Sequence, residues 1–403
     1  MSWISIDEAL EHILKDVTAL EPESVPLPAA AGCVLAQDIV ADRDQPGFNR
    51  AMMDGFALRS EDIQEAPATL SVVGEVAAGD VSNQRIESGQ AIRIMTGAPV
   101  PDGADAIQMF ENTRVSGDQV IVEKAVRAGQ HIAPRGQEIR AGEVAIEKGS
   151  VLTTTRLGLA WSMGASEVQV YGEPRVAVLT TGNELVELTA TPGPAQIRDS
   201  NRATIGDLAI RGGAAVVGTD LVPDDKAEIR RAIRRSRKGV HVLVLSGGIS
   251  AGDYDYVAEC LEEERVEARF YKVNIKPGKP LWYGRRGKLH VLGLPGNPVS
   301  SFVTARIFLL PLLRRLAGRS RIHDLRLSMP LLEAFKGTGS RPTFQPAIVD
   351  WEQQGVRLVK THGSGDLNFF SHGNSLAFLP PNHADFEVGD KIDVLIDEES
   401  LVG

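Results

Sequence analysis

Between Pro174 and about Leu316 the chain repeats one pattern: an apolar run, a loop, and a segment whose apolar residues recur at helical spacing. The runs "RVAVLTTG", "AAVVGTDLV", "VHVLVLSGG" and "LHVLGLPG" lack polar alternation, so each predicts a strand covered on both faces. The segments between them, "NRATIGDLAIRGG", "DDKAEIRRAIRRSRKG" and "YDYVAECLEEER", predict helices, as does the stretch from Val299 to Leu313. Strands alternating with helices in this way predict a doubly wound α/β region with a parallel sheet. The stretch "LPGNP" after the last strand contains two prolines and a glycine, which stop the strand and set the start of the next helix.

Outside this region the periodicity changes. Residues 5–20 place Ile6, Leu10, Ile13, Leu14 and Val17 at helical spacing and predict a first helix. From about 27 to 150, short runs such as "LSVVGEV", "QAIRIM" and "QVIVEKAV" alternate with Gly, Asp and Pro turns, predicting one or two β-rich domains. "LTTTRLGLAWSMG" returns to helix, with Thr154 or Thr155 as the expected N-cap. Residues 326–403 are again short β runs, the pattern of a small barrel or sandwich.

Composition narrows the function classes. A chain of 403 residues with 43% hydrophobic and 24% charged residues is that of a multidomain globular protein. A net charge of -10 argues against binding a nucleic-acid backbone, but leaves room for a locally positive pocket. No apolar run approaches the roughly 20 residues needed to span a bilayer. The start of the chain lacks the basic and apolar regions of a signal peptide. Cys33 and Cys260 stand far apart outside any metal-ligand spacing. These features predict a cytoplasmic protein without disulfides.

The chemistry concentrates in the loops that follow the strands. In an open parallel sheet, ligands bind beyond the carboxyl ends of the strands. Three of those loops, "TTGNEL", "SGGISAGDYD" and "LPGNP", are rich in glycine or proline, and glycine lets backbone amides approach a phosphate closely. Ordinary turn chemistry accounts for any one of them; three on one edge point to a nucleotide or another phosphorylated guest. Carboxylates sit in the same places: Glu184, Asp253 and Asp255, with Asp224 and Asp225 before an adjacent helix. Helix capping suffices for one of the last two, whereas magnesium bridging carboxylates to phosphate would reconcile the others with an anion site. "YKVNIKPGKPLWYG" brings Lys272, Lys276 and Lys279 together in a segment stiffened by Pro277 and Pro280, a candidate oxyanion site. Arg230, Arg231, Arg234 and Arg235 follow helical spacing and read as a solvated face. The motifs HExxH, GxxxxGK[ST] and a strand-linked GxGxxG are absent, which removes the usual zinc-protease, P-loop and dinucleotide cues.

In order along the chain, "AMMDGFA", "RIMTGAPVPDGADA", "PRVAVLTTGNEL", "IRDSN", "SGGISAGDYD", "IKPGKP" and "GLPGNPVS" resemble the molybdopterin molybdenumtransferase family, the bacterial MoeA and gephyrin E-domain group. The resemblance covers essentially the whole chain. It implies a multidomain α/β homodimer. Residues 1–26 supply a helix packing with the doubly wound domain, and 27–45 with 146–173 form a linking domain. Residues 46–145 form a β-rich domain, 174–326 a MogA-like molybdopterin-binding domain, and 327–403 a C-terminal β-barrel.

The implied reaction inserts molybdate into adenylylated molybdopterin, with magnesium, releasing AMP and giving molybdenum cofactor. The alternatives are a molybdopterin adenylyltransferase, which would lack the "MDG" and "TGAP" region, or a non-catalytic cofactor-binding scaffold. By resemblance, Asp54, Thr96, Glu184 and Asp255 are catalytic, and Glu184, one of Asp224 and Asp225, and Asp255 would hold the metal. Substrate would meet Gly182, Ser200, Asn201 and the glycine loop Ser246, Gly247 and Gly248. It would also meet Lys272, Lys276, Lys279, Pro295, Gly296, Pro298 and Ser364. Active sites composite between two subunits and a MogA-type adenylyltransferase partner complete the expectation. The chain departs from the family at Gly136-Gln137-Glu138, where Gly-Glu-Asp is usual, and at Gly373-Asn374, where Ala-Asn is common.

Overall fold

A computed structural model describes residues 3–249 and 256–396. At its centre is a six-stranded sheet in the order Ala215–Val222, Arg175–Thr181, Val242–Ser246, Leu289–Leu294, Trp282–Arg286, Glu267–Tyr271. The first four strands are parallel, as their apolar runs predict. Along each central strand alternate residues enter opposite cores. Val176, Val178, Val242 and Val244 join one cluster, while Ala177, Leu179, Leu243 and Leu245 join the other. The last two strands are antiparallel and extend the sheet past the parallel set. Glu267–Tyr271 is largely exposed, so it lacks the apolar run that marks the others.

The first core is closed by Asn201–Arg211, by the long helical stretch from Pro298 to Leu316, and by the N-terminal helix, whose Ala9 and Ile13 are fully buried. That helix, Ile6–Leu14, starts in a capping box. The Glu8 amide donates to Ser5 Oγ at 3.1 Å, and the Ser5 amide donates to Glu8 Oε2 at 2.7 Å. It is shorter than the periodicity over 5–20 predicts, because Lys15 leaves helical geometry and Asp16 takes a left-handed conformation with φ 58°. The stretch after Pro298 changes character midway: Pro298–Thr304 is α, Ala305–Leu309 is π, and Leu310–Leu316 is α again. Pro311 cannot donate to an α ladder and its ring would clash with the preceding turn, so the regular α bonding is interrupted where the π turn stands. Buried Arg306, in the π turn, donates to Asp324 Oδ2 at 2.8 Å and to the Leu395 carbonyl at 3.3 Å, which ties the helix to the C-terminal region.

Two β-rich regions flank the centre. In the first, strands Pro22–Pro26 and Glu167–Tyr171 pair antiparallel beside the helix Thr154–Ser162, around Leu35, Leu152, Ala160 and Val170. The N-cap of that helix is Thr153 rather than Thr154 or Thr155, and its side chain makes no capping bond. Beyond it, a six-stranded sheet carries a core on each face; Phe56 and Leu58 enter one, Ala57 and Ile92 the other. In the C-terminal region five antiparallel strands run in the order Leu325–Pro330, Lys391–Ile396, Ser375–Leu379, Thr343–Asp350, Gly355–Leu358. A bridge from Leu331 to Val356 brings its two edges together, so the sheet curls almost into a barrel. Among the described residues no helix is long and apolar enough to cross a membrane.

The arginine-rich helix Lys226–Ser236 differs from its reading as a solvated face. Arg230, Arg234 and Arg237 converge on Glu264, whose side chain is 4% exposed, while Arg231 pairs with Glu228 and Arg235 with Asp220. The hydrogen bond from Arg234, with the neighbouring guanidiniums, overcomes burial and holds the Glu264 carboxyl down at about 2. Replacing one member of a charged hydrogen-bonded group typically costs about 1–3 kcal/mol. Glu264→Gln is therefore expected to lower stability in urea at pH 7. A depressed carboxyl stabilises above its unfolded value, near 4.3, and loses that contribution as pH falls through about 2. The gap between wild type and variant should close across that window, as measured by denaturation at successive pH values.

Candidate active site

The carboxyl ends of the central strands open onto a cavity of about 690 Å³. The loop after Val242–Ser246 turns through Gly247 and Gly248, both left-handed at φ 94° and 61°. A Cβ on Gly247 would lie 2.3 Å from the Thr181 carbonyl oxygen, so only glycine lets this loop pass so close to the neighbouring strand end. Asn201, buried at the start of its helix, donates through Nδ2 to Ser246 Oγ at 2.9 Å and to the Gly296 carbonyl at 2.7 Å. Ser246 Oγ donates in turn to the Pro295 carbonyl at 3.0 Å. On the other side, Asn183 and Asp224 exchange two bonds of 3.1 Å, each amide donating to the other's side chain. The loop bearing Glu184 is thus tied to the loop before Lys226–Ser236.

The second wall comes from the C-terminal region. The connection between the two antiparallel central strands carries Lys276 and Lys279 to the cavity and runs as a bridge beside Thr343. The Phe344 amide donates to the Lys276 carbonyl at 2.7 Å, and Arg341 Nη1 donates to the Ile275 carbonyl at 3.1 Å. Opposite, Asn297 Nδ2 donates to Ser364 Oγ at 2.8 Å, and the Val299 amide to the Ser364 carbonyl at 3.1 Å. Among the described residues the lining carries the cationic groups of Lys276, Lys279 and Arg341 and the carboxylates of Glu184 and Asp224. Such a site can hold a polyanion with a cation of its own. The Lys279 ammonium also lies 4.6 Å from the centroid of the Trp3 ring, so the start of the chain borders the same cation.

Most of the expected substrate residues line this one cavity: Gly182, Asn201, Ser246, Gly247, Gly248, Lys276, Lys279, Pro295, Gly296, Pro298 and Ser364, together with Glu184 and Asp224. Ser200 and Lys272 are not among its lining. Lys272 takes φ 74° and rests its ammonium 4.8 Å from the centroid of the Tyr271 ring. Asp225 is the N-cap of Lys226–Ser236, its side chain accepting from the Glu228 amide at 3.0 Å, so Asp224 is the one at the cavity. Asp255 lies outside the described residues. Asp54 and Thr96 stand apart on the N-terminal sheet. There the Thr96 amide donates to Asp54 Oδ1 at 2.6 Å and, with the Thr96 side chain, lowers the Asp54 carboxyl below its ordinary range. Glu138 forms an ion pair of 2.8 Å with Arg50 in the same region.

Of the lining residues that escaped the sequence reading, two bear on its chemistry. Arg341 is brought to the cavity only by packing of the C-terminal sheet, and no local pattern marks it. Thr181 sits within a quoted motif, but its importance lies in its surroundings. Its hydroxyl is buried beside the cavity and has no hydrogen-bond partner among the described residues. A bound ligand that supplied one would relieve a cost that buried polar groups rarely carry.

Models of three regions match in order: the MoeA N-terminal region (domain I and II) over 4–164, a probable molybdopterin binding domain over 177–315, and the MoeA C-terminal region (domain IV) over 328–396. A molybdopterin molybdenumtransferase from Staphylococcus epidermidis is 32% identical over 404 residues, covering 98% of this chain and 96% of the relative. The chain belongs to the molybdopterin molybdenumtransferase family. A family member from Staphylococcus aureus is 29% identical over 401 residues, with 98% and 96% coverage. The crystal structure of a molybdopterin biosynthesis moeA protein from Pyrococcus horikoshii matches with a TM-score of 0.85 and 27% identity, covering 98% of this chain and all of that one.

Asn201 joins three loops of this family member's cavity through one side-chain amide, so its removal is expected to unfasten them. Asn201→Ala should cost about 1–3 kcal/mol in a urea titration, the usual loss when buried partners are left unsatisfied. Hydrogen exchange should speed up at the amides of 246–248 and 296–297, while the C-terminal sheet exchanges as in wild type.

Proposed function

We propose that this protein inserts molybdate into adenylylated molybdopterin, releasing AMP and forming molybdenum cofactor. The observation that carries the reading is the single cavity in which glycine-rich strand ends, Lys276, Lys279 and Arg341 meet the carboxylates of Glu184 and Asp224. The phosphates of the pterin substrate would approach the backbone at Gly247 and Gly248. Molybdate, a doubly charged oxyanion, requires cations held in place, and the lysine pair on its stiff proline-containing segment offers them. Glu184 and Asp224 suit magnesium, which takes one or two carboxylates and completes its shell with water and phosphate. Bound there, magnesium would neutralise charge on the phosphoanhydride as it is cleaved. Asp255, by its position in the motif "GDYD", is assigned to the same metal or to the attacking water. The cytoplasm, where adenylylated pterin would be handed over by a MogA-type partner, is the proposed compartment.

The dimer follows from the same reading. Asp54 and Thr96 belong to the motifs of this chemistry yet are not among the residues lining the cavity of their own chain. Next to Asp54, Phe48, Met52 and Met53 are exposed by 44%, 50% and 41%, an apolar rim suited to cover by a second copy. Subunits carrying Asp54→Ala mixed with subunits carrying Glu184→Ala should recover activity in exchanged dimers. Mixtures as inactive as either parent, with exchange verified by mass, would count against shared sites.

The function itself is tested by supplying adenylylated molybdopterin and molybdate and measuring AMP release. A charge-assisted hydrogen bond contributes about 1.5–3 kcal/mol, or roughly tenfold to hundredfold in affinity. Lys279→Ala should lose that much affinity for the adenylylated pterin or molybdate at unchanged melting temperature, with the deficit shrinking as salt rises. Exposed Lys238 is the control and should tolerate alanine.

A further inference from the structure

A second cavity, of about 490 Å³, lies where the linking region, the doubly wound domain and the C-terminal sheet meet. Five arginines line it, Arg156, Arg211, Arg314, Arg319 and Arg321, against one acidic residue, Asp324. In a chain of net charge -10 this is a pronounced local excess of positive charge. Its other wall is aliphatic, formed by Leu208, Leu310, Leu325 and Ile396.

Ordinary structural roles account for part of the arginine set. Arg211, in the last turn of Asn201–Arg211, pairs with Asp207 at 2.6 Å, and Arg314 donates to Asp324 Oδ1 at 2.8 Å and to the Ile322 carbonyl. Both complement the carboxyl ends of their helices. Asp324 is fully committed: burial alone would raise its carboxyl, but Arg306 and Arg314 pull it below its usual range. It has no charge to spare for the others. Arg156 does not fit the helix-end explanation. It sits in the first turn of Thr154–Ser162, where the helix dipole opposes a cation, and it donates to the Val151 carbonyl at 2.8 Å. Among the described residues neither Arg156 nor Arg321 has an acidic partner.

We propose that this junction cavity binds an organic phosphate: a phosphate group on the guanidinium side, with an apolar or aromatic body against the leucines. Guanidinium forks match phosphate oxygens in pairs, and the volume lies within the range of small-molecule sites. The site is separate from the strand-end cavity and shares no lining residue with it. A ligand there would touch three regions of the chain at once.

Titration calorimetry on the full-length protein tests this with three probes: inorganic pyrophosphate, adenosine diphosphate and adenosine. Three proteins are compared: wild type, Arg156→Ala/Arg321→Ala, and Lys279→Ala. Arg156 and Arg321 are exposed, so the double variant should fold, and its melting curve without ligand verifies this. Adenosine diphosphate should show a binding event that persists in Lys279→Ala and weakens roughly tenfold to hundredfold in the double variant. Pyrophosphate should bind the same site more weakly, and adenosine should not register there. The proposal is overturned if no phosphate probe binds, if all binding disappears in Lys279→Ala, if the double variant binds like wild type, or if adenosine matches the diphosphate.

Discussion

The strand-end cavity depends on a small buried hydrogen-bond node. Ser246 ends a strand buried along its whole length, and its hydroxyl accepts from Asn201 while donating to the Pro295 carbonyl. Three loops from distant parts of the chain are thereby fixed against one another by groups that water does not reach. A network of this kind is costly when half satisfied and rigid when complete. Its completion lets the glycine turn at 247–248 lie against the neighbouring strand without collapsing into the cavity. The apolar cores above and below hold the sheet, and this node aligns the ends of its strands.

The remainder of the cavity is assembled by main-chain contacts between two regions. The lysines reach it on the connection between the two antiparallel strands, and that connection is held by backbone bonds to Pro342 and Phe344. The main chain of this connection is fixed before an anion arrives, so binding need not pay to order the loop. The rigid corner at 295–298 does the same on the facing side. There Asn297 and the Val299 amide grip Ser364, so the C-terminal sheet contributes a wall that cannot swing independently of the strand ends.

Much of this was legible in the sequence because the relevant signals are local. Apolar runs such as "VHVLVLSGG" announce a strand covered on both faces, and the glycines that follow announce the turn. Where a partner lies far along the chain, the local signal fails or misleads. Glu267–Tyr271 has only one buried residue and gave no strand signal, yet it completes the sheet beside Trp282–Arg286. Arg230 and Arg234 look like a solvated stripe because Glu264 is some thirty positions away. Lys272 shares a short segment with Lys276 and Lys279, but a left-handed backbone turns it onto Tyr271, and spacing alone does not reveal a single dihedral angle. Arg341 acquires meaning only once two regions are packed together, and the Thr181 hydroxyl, without a partner among the described residues, only once the strand ends are assembled.

The π turn at Ala305–Leu309 sets a constraint on how this chain can change. The helical stretch that contains it starts with Pro298 at the strand-end cavity and reaches Arg314 at the domain junction, so two functions of position are threaded on one rod. A π turn holds one residue more than the α turn it replaces. Deleting a single residue there would return it to a plain α turn with the two ends still nearly in phase, whereas a deletion elsewhere in the rod that left the π turn in place would rotate everything beyond it by about 100°. In that second case Leu310 and Leu312 would leave the core and Arg314 would swing away from Asp324, although nothing at the strand-end cavity had been altered. The π turn is therefore the place where this buried rod can lose one residue and keep the phase between its two ends, and shortening it by one residue elsewhere breaks that phase.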